Sequence, residues 1–506
     1  MFLTLPVLLS LVLSITKCSV YAASDTKVQA LKDYKNPIIS GFSPDPSCIH
    51  VDEQFFCVTS SFSAFPGIPV YTSRDLVQWE QIVAQAQRWD ILCHVNAGHH
   101  WKAVRGLVAI GEHPIRFTFT GYDTSLFWDD DGKVYVQGSH YWRIFPAVQQ
   151  FQIDLKTGAS LNGDPVTIWN GTGGMAPEGP HIYKKDGFYY LLIAEGGTAL
   201  GPMVTMARAT NIHGPYDPCP YNPVLTNANT TEYLQTVGHA DLFEDSNSNW
   251  WSVALATRNA TVDFPMGRET ILVPVVWHDG EFPVFNRGTP GRAYIDMNGP
   301  LPARKSAGNV TKWLSVRPTL LTSGDVHVGQ HQRIQFNPGS KLPRKLIYYR
   351  YPDFSAFTVS PPSHPNTLRI MGSANNISGT SSDLTGTSTF IARRQDEVEF
   401  TASVSLDFEP RVDGEEAGLT LFLNKVQHFD LGVVALNGTQ RFIRLRTITA
   451  NSTDGGSVDP ISSPRMIILP QKSNHLRLVV QAVNASTYMF GYSDQGNGVV
   501  HTVGYG

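Results

Sequence analysis

Three acidic residues stand at the start of strand-like segments, where a charge is costly unless it is paired or used in chemistry. They are Asp45 in SPDPS, Asp123 in GYDTS and Glu178 in APEGP. Like charges in a partly dry pocket raise the pKa of one group at another's expense, which yields one ionised carboxylate and one protonated carboxyl. A base and an acid of this kind are what the hydrolysis of a glycosidic bond requires.

The spacing around these acids distinguishes a shared site from three ordinary turns. Taken singly, each acid is also typical of a turn, since Asp before Pro-Ser is a common strand entry. The acids, however, precede Phe55, Val134 and Phe188 by ten, eleven and ten positions. A fourth segment keeps the same register, with His239 eleven positions before Trp250. Matched offsets in four segments favour a structural repeat.

The repeated unit is a β-hairpin: an apolar run, a turn rich in Asp, Gly, Lys or Asn, and a second run that opens on large residues. Periods of about 50–60 residues suit the four-stranded blades of a β-propeller better than the helices of a solenoid. The innermost strand of each blade starts near the central axis, so equivalent positions converge there. We therefore expect Asp45, Asp123 and Glu178 to share one cavity.

Four segments carry a family resemblance: NPIISGFSPDPS, YDTSLFWDDDGKVY, APEGPHIYKKDGFYYLLIAEGGT and PMGRET. They resemble glycoside hydrolase family 43, and most of all its fungal β-xylosidase/α-L-arabinofuranosidase branch. The resemblance covers nearly the whole mature chain. It implies an all-β protein with a five-bladed propeller, single-displacement hydrolysis with inversion, and removal of terminal pentoses from xylooligosaccharides or arabinoxylan.

The resemblance also implies a role for each acid. Asp45 matches the general base that activates water, and Glu178 matches the general acid that protonates the leaving oxygen. Asp123 matches the residue that tunes the pKa of the acid and orients the sugar. An inverting enzyme needs roughly 6.5–9.5 Å between its two carboxyls to admit a water, and opposed blades of a propeller would supply that gap.

Three further residues match substrate-binding positions of the family. Phe62 in TSSFSAFPG resembles an aromatic wall of the sugar pocket, and Arg268 in MGRET resembles an arginine that binds sugar hydroxyls. Arg268 could also hold Asp123 or Glu178 in place by charge. His239 in VGHAD matches an axial histidine, which in many relatives faces a water-bound calcium ion. A core histidine without metal is the alternative, because a single His is a poor calcium ligand, and the chemistry itself requires no cofactor.

The sequence departs from the family between residues 93 and 117. This stretch lacks the turn-plus-aromatic hairpin and the Trp-Ala-Pro element of the relatives, so the second blade is incomplete in this sequence. A wrongly joined exon boundary explains the gap best. An inactive relative and a real structural variation are the two alternatives.

Composition agrees with a turn-rich β protein. Apolar residues make up 42% of the chain and charged residues 16%, with 43 glycines and 33 prolines. At 506 residues, two domains are expected. The net charge of −4 does not indicate a nucleic-acid partner, and no segment after the N-terminal apolar run is long and apolar enough to span a membrane.

The N-terminal segment 1–23 predicts a secretory signal peptide, with a membrane anchor as the alternative. Export would agree with eight Asn-x-Ser/Thr sites, at Asn170, Asn229, Asn259, Asn309, Asn376, Asn437, Asn451 and Asn484. Cys48 and Cys57 flank a hairpin with a two-residue turn at Asp52 and Glu53, which would place them opposite each other and allow a disulfide.

Two domains follow the signal peptide: a propeller over 34–300 and a second domain over 318–506. Alternating apolar patterns separated by Gly, Asn, Pro and Ser turns predict a β-sandwich in the second domain. FIARRQ and GEEAGLTLFLN resemble the concanavalin-like domain that accompanies these xylosidases; an independent carbohydrate-binding module is the alternative. The relatives continue by a strand or two beyond HTVGYG, so a shortened sandwich with an open edge is expected.

Exo-β-1,4-xylosidase is the leading functional hypothesis, and α-L-arabinofuranosidase is the runner-up within the enzyme class. A non-catalytic glycan-binding relative is the alternative from a different class, favoured by the incomplete blade and opposed by the three intact acids. The five-bladed enzymes that cleave sucrose or fructan are set aside, because the mature N-terminus has no Asn-Asp-Pro-Asn-Gly element.

Overall fold

The computed structural model describes residues 33–83, 94–96, 117, 119–198, 201–258, 265–286, 298–301, 332–378, 388–438, 440–449, 464–469, 475–494 and 498–506. Within these ranges the chain is almost entirely β-strand and turn, with one short 3₁₀ helix at Phe354–Ala356. No helix in this part of the chain is long and apolar enough to cross a membrane. The predicted signal peptide lies outside the described residues, as does most of 93–117.

The strands of the first domain, in chain order, are β1 (Asp33–Lys35), β2 (Ser47–Val51), β3 (Gln54–Val58), β4 (Ala64–Phe65), β5 (Val70–Ser73), β6 (Glu80–Val83), β7 (His94–Asn96), β8 (Gly121–Trp128), β9 (Val134–His140), β10 (Val148–Gln152), β11 (Val166–Trp169), β12 (Glu178–Lys185), β13 (Phe188–Glu195), β14 (Met203–Ala209), β15 (Asp217–Pro218), β16 (Leu234–Glu244), β17 (Trp250–Arg258), β18 (Arg268–Val276), β19 (Val284–Phe285) and β20 (Asn298–Pro300).

Among the described residues these strands form four blade-like sheets. Their strand orders are β2-β3-β5-β6, β7-β8-β9-β10-β11, β12-β13-β14-β15 and β16-β17-β18-β19. Neighbouring strands are antiparallel, except that β7 runs parallel to β8. Each sheet contains one of the hairpins that the sequence repeat predicts, namely β2–β3, β8–β9, β12–β13 or β16–β17. The prediction of a fifth blade falls on the stretch that the structure leaves undescribed.

The apolar cores lie between successive sheets, as expected for propeller blades packed face to face. One core joins the third and fourth sheets around Tyr190, Leu242 and Ile271. Another joins the fourth sheet to the first around Trp251 and Phe55, and a third joins the second sheet to the third. Because β16 is buried from Leu234 to Phe243, this inner strand packs on both faces.

The first hairpin is closed by a disulfide. Cys48 and Cys57 are directly opposite each other in the β2–β3 pair and are bonded, with 4.1 Å between their Cα atoms. The turn lies at Asp52 and Glu53, where Asp52 adopts a φ of 49°. The predicted disulfide and its two-residue turn are therefore both present.

The N-terminal residues close the domain onto its last sheet. β1 pairs with β20. The side chain of Asn36 donates to the Leu272 carbonyl over 2.9 Å and accepts from the Leu272 amide over 2.8 Å. The amide of Ser43 donates to the carbonyl of Arg268 over 2.9 Å. This closure leads the chain directly into the segment that carries Asp45.

The strands of the second domain are β21 (Leu346–Tyr349), β22 (Phe357–Val359), β23 (Leu368–Ile370), β24 (Ala392–Arg393), β25 (Thr401–Asp407), β26 (Glu416–Asn424), β27 (Gln427–Leu436), β28 (Gln440–Thr449), β29 (Arg465–Ile468), β30 (His475–Asn484), β31 (Thr487–Asp494) and β32 (His501–Tyr505). Two four-stranded sheets, β25-β30-β31-β32 and β26-β27-β28-β29, enclose a core that includes Leu431, Ile443, Leu478 and Phe490. The predicted β-sandwich is confirmed.

The second domain holds one loop of the first. β4 leaves its own blade and pairs with β21, which also pairs with β24. The amide of Arg350 donates to the carbonyl of Ser63 over 2.7 Å. The ring of Phe65 lies 5.2 Å from that of Tyr351 and packs edge-on to it. The loop that carries Phe62 is thus fixed between the two domains.

Candidate active site

One backbone feature recurs at the inner hairpin of each of the four sheets: just before β2, near the start of β8 and β12, and in the middle of β16. Asp45, Asp123, Gly179 and His239 all adopt left-handed φ values, of 55°, 51°, 58° and 46°. In β8, β12 and β16 this residue coincides with a break in the pairing register. Such bulges re-aim side chains and are frequent beside active sites. Here they explain how polar side chains in these strands turn toward one centre.

The third sheet differs from the others in one respect. The residue with a left-handed φ is Gly179 in this sheet, whereas it is Asp45, Asp123 or His239 in the other three. Glu178 therefore lies one residue before the equivalent position. A Cβ atom on Gly179 would lie 2.8 Å from the ring of His239. Only glycine leaves room for the histidine, and the acidic side chain comes from the preceding position.

His239 lies at the centre of the site. Its Nδ1 atom is 3.3 Å from Oδ1 of Asp45 and 4.0 Å from Oδ2 of Asp123. The amide of Gly179 donates to Oδ2 of Asp123 over 3.2 Å, which places Glu178 beside the same carboxylate. The three acids predicted to converge are therefore neighbours around one buried imidazole.

Arg268 forms the side of the site next to Asp45. Its guanidinium nitrogen is 3.6 Å from Oδ1 of Asp45. The guanidinium also lies 5.3 Å from the centre of the Phe62 ring and 5.9 Å from that of Phe42. The sequence suggested that Arg268 could hold Asp123 or Glu178 by charge. Its ion pair is with Asp45 instead, because β18 runs beside the segment that leads into Asp45. Phe62 is 57% exposed, so its ring is free to contact a ligand.

The electrostatics differ between the acids. Burial, with the negative charge of Asp123 second, raises the pKa of Glu178 to about 7. Burial also raises the pKa of Asp123, although the nearby His239 opposes the rise. For His239, burial disfavours the charged form, but Asp45, Asp123 and Glu178 together outweigh it and raise the pKa. The site therefore holds a carboxyl that keeps its proton near neutral pH beside a histidine that favours a positive charge.

Asp45, Asp123 and His239 line a pocket of about 220 Å³; the other lining residues are Thr59, Ser60, Ile68, Thr124, Ser125, Gly179 and His181. Glu178 adjoins it through Gly179 and is not itself a lining residue. A water molecule occupies about 30 Å³ of liquid. The pocket is therefore large enough for a sugar ring together with water.

A second ring of buried polar residues, not predicted from the sequence, lies two residues further along each of the four segments. Its members each follow a left-handed residue by two positions: Ser47, Ser125, His181 and Asp241. Asp241 joins three sheets, because its carboxylate accepts from Ser47 Oγ over 2.6 Å and from Tyr183 Oη over 2.6 Å. Burial lowers the pKa of His181, which favours a neutral ring. The polar residue two places after each site position, in DPS, DTS, GPH and HAD, was the available signal.

The donor set around His239 does not fit calcium. Calcium takes six to eight oxygen ligands, whereas the imidazole nitrogen here faces Asp45 and the raised pKa of His239 favours its cationic form. In the part of the chain that the structure describes, no group of three or more His, Cys, Asp or Glu residues could hold a metal ion. The expectation of an axial calcium is therefore not carried further.

Comparison with known families identifies both domains. Residues 34–103 and 107–282 match the model of glycosyl hydrolases family 43. Residues 333–505 match the β-xylosidase C-terminal concanavalin A-like domain. The chain belongs to glycosyl hydrolase family 43. It is therefore a glycoside hydrolase with a propeller and the family's concanavalin-like C-terminal domain.

Individual members of family 43 are similar over most of their length. The chain is 31% identical to a xylosidase/arabinosidase of Butyrivibrio fibrisolvens, over 90% of this chain and 92% of that one. It is 32% identical to the non-reducing end α-L-arabinofuranosidase BoGH43B of Bacteroides ovatus, over 82% and 78%. A solved structure of Bacteroides ovatus GH43B superposes with a TM-score of 0.73 at 27% identity, covering 94% of this chain and 92% of that one. Membership of a fungal branch within the family stays a prediction.

Proposed function

We propose that this family 43 hydrolase removes single pentoses from the non-reducing ends of xylan-derived oligosaccharides, with inversion, and that exo-β-1,4-xylosidase is its main activity. The observation that carries the proposal is the placement of Asp45, Asp123 and Glu178 around His239, with Asp45, Asp123 and His239 lining one pocket and Glu178 next to it. The similarity to a non-reducing end α-L-arabinofuranosidase favours action on chain ends over cleavage within a chain.

In the proposed reaction Glu178 is the general acid. A group with a pKa of about 7 keeps its proton in mildly acidic solution and can pass it to the leaving oxygen as the glycosidic bond breaks. The proton transfer leaves a carboxylate on Glu178. Because the anion then lies beside the carboxylate of Asp123, it readily takes up a proton for the next turnover.

Asp45 is the proposed general base. Its carboxylate lies 3.3 Å from Nδ1 of His239 and 3.6 Å from the guanidinium of Arg268. It takes a proton from a water molecule as the water attacks the anomeric carbon from the face opposite the leaving group. Asp123 orients the sugar and keeps the pKa of Glu178 high, and Arg268 with Phe62 forms the wall of the sugar site. Side chains and water are sufficient for these steps.

The runner-up is α-L-arabinofuranosidase, favoured by the similarity to BoGH43B of Bacteroides ovatus. Release of nitrophenol from 4-nitrophenyl β-D-xylopyranoside and from 4-nitrophenyl α-L-arabinofuranoside separates the two activities. We expect the greater kcat/KM on the xyloside; a greater value on the arabinoside would select the runner-up.

Two variants connect the activity to the site. Glu178→Gln removes the acid proton and should lower kcat/KM on xylobiose by about 10²–10⁴-fold. Glu53→Gln, at the exposed turn of the first hairpin, is the matched control and should keep wild-type rates. A folded wild-type protein that binds xylooligosaccharides but frees neither pentose would select the non-catalytic alternative.

Export to the cell exterior is part of the same proposal. Five of the eight glycosylation sites fall in the described residues, and all five asparagines are exposed: Asn170, Asn229, Asn376, Asn437 and Asn484. Exposure is what an attached glycan requires. Mass spectrometry of the secreted protein before and after glycosidase treatment tests this directly, and an unmodified protein retained in the cell would contradict it.

A further inference from the structure

Glu195 is a buried carboxylate that the proposed reaction does not use. It is the last residue of β13 and is 1% exposed. Its neighbour Ala194 is the residue that pairs with Glu178 across the β12–β13 ladder. A buried charge is costly unless strong hydrogen bonds compensate it, so its contacts indicate what the charge is for.

Glu195 holds one loop through both of its carboxylate oxygens. Oε1 accepts from the amides of Thr172 and Gly174 over 3.0 and 2.9 Å. Oε2 accepts from the amide and the hydroxyl of Thr172, each over 3.0 Å, and from the Thr205 hydroxyl over 2.5 Å. All of these partners are neutral donors. A carboxylate suits them because it is acceptor-only, whereas a carboxamide would turn an NH₂ group toward donors.

The loop held in this way, residues 170–177, connects β11 to Glu178 at the start of β12. Gly171 approaches so closely that a Cβ atom there would lie 2.5 Å from Oε1 of Glu195, and its φ is 76°. Further along, the carbonyl of Met175 accepts from the amide of Gly196 over 2.8 Å. Ala176 then adopts a left-handed φ of 52° and is buried. The backbone is therefore fixed up to two residues before the proposed acid.

We propose that Glu195 is a positioning residue for Glu178: its carboxylate fixes loop 170–177 and thereby sets where the acid proton is delivered. This inference rests on the proposed function. General acid catalysis requires the donor within about 2.6–3.2 Å of the accepting oxygen. Charge-assisted hydrogen bonds are roughly twice as strong as neutral ones, which suits them to hold a loop to that tolerance.

The test uses two substrates that differ in their need for an acid, both built on the pentose that the wild type releases. The leaving group of xylobiose must be protonated, whereas that of 2,4-dinitrophenyl β-D-xylopyranoside departs without help. For Glu195→Gln we expect kcat/KM on xylobiose to fall by about 10–100-fold, part of the 10²–10⁴-fold that an acid contributes. On the dinitrophenyl xyloside the loss should stay below about threefold. Equal losses on the two substrates, or no loss, would overturn the inference.

Glu269→Gln is the matched control. Glu269 is also a 1% exposed carboxylate, but it binds Gly41 and Arg258 on the Asp45 side of the site. Any rate that this variant loses should be lost equally on both substrates. A selective loss on xylobiose in the control would show that the effect does not depend on the acid loop.

Thr172→Ala keeps the inference testable should Glu195→Gln fail to fold. It removes one hydroxyl donor and leaves the carboxylate in place, but it also removes the Asn170 glycosylation site, so it is compared with Asn170→Gln, which lacks only the glycan. Relative to that reference, a smaller loss of about threefold, confined to xylobiose, is expected. An unselective loss, or none, in a folded Thr172→Ala protein would refute the positioning role. Failure of the proposed function would show differently, as a wild type that cleaves neither substrate, and that result would overturn both proposals.

Discussion

Replacement of Asp123 by asparagine tests the electrostatic coupling of the site. The environment raises the pKa of Glu178 from 4.5 to about 7, with burial the largest cause and Asp123 the second. Asparagine keeps the shape of the side chain and can still accept from the Gly179 amide, so the variant removes mainly the charge. Because burial remains, the pKa of Glu178 should fall by less than half of the original rise, or about half to one pH unit.

The sign of the effect follows from the role of Glu178. The acid must carry its proton, so kcat/KM on xylobiose falls as the pH rises through its pKa in the free enzyme. A lower pKa of Glu178 shifts this alkaline limb to lower pH. Its midpoint should move from about pH 7 in the wild type to a pH about half to one unit lower in Asp123→Asn.

The assay is a pH profile of kcat/KM on xylobiose, with unfolding curves to show that each protein is folded over the range. Asp130→Asn is the matched control: its side chain is 76% exposed, and exposed charges are screened by salt. The control limb should coincide with that of the wild type. An alkaline limb that stays in place or moves upward in Asp123→Asn would refute the coupling.

Three further substitutions are predicted from contacts. Phe62→Ala removes an exposed ring beside Arg268 and should raise KM on xylobiose about two- to fivefold; a fall in kcat at constant KM would contradict this wall role. Asp241→Asn places an NH₂ group among buried donors and should lower the free energy of unfolding, measured with urea, by about 2–4 kcal/mol. Unchanged stability would contradict the inference that Asp241 joins three sheets. Phe65→Ala leaves a cavity beside Tyr351, where the two domains meet, and should lower the free energy of unfolding by about 3–5 kcal/mol. A decrease below about 1 kcal/mol would show that the contact between Phe65 and Tyr351 does not stabilise the fold.

The repeat was visible in the sequence because each blade opens with the same hairpin. The apolar run, the turn and the pair of large residues recur at nearly the same spacing from the polar residue. This local pattern is therefore sufficient to find the four inner strands in the sequence. Asp45, Asp123 and His239 occupy equivalent backbone positions as a result. Convergence on an axis follows from the architecture, and the three acids could be predicted to meet without any contact being known.

The pairing partners within the site could not be predicted in the same way. Arg268 pairs with Asp45 because residues 36–43 run alongside β18, a closure that joins the two ends of the first domain. The offset of Glu178 from its equivalent position depends on the space that His239 takes above Gly179. Both are long-range packing effects, and the hairpin pattern carries no information about them.

The buried polar residues were missed for a different reason. Asp241 and Glu195 lie in apolar strands, where a sequence reader expects a core position or a turn. Their role becomes clear only from their hydrogen bonds to other sheets or loops, such as those of Glu195 to Thr172 and Gly174. Satisfied buried carboxylates of this kind are a property of the tertiary structure.

The proposed mechanism requires an acid and a base that act together from opposite sides of one sugar, with a water molecule between the base and the sugar. Time-resolved proton NMR of 4-nitrophenyl β-D-xylopyranoside hydrolysis measures this most directly, because the only xylose released comes from the cleaved bond and its anomer is identified before mutarotation. Single displacement predicts α-xylose first from the β-linked substrate. Initial release of β-xylose would mean that a carboxylate attacks the sugar itself, and it would contradict the roles assigned to Asp45 and Glu178.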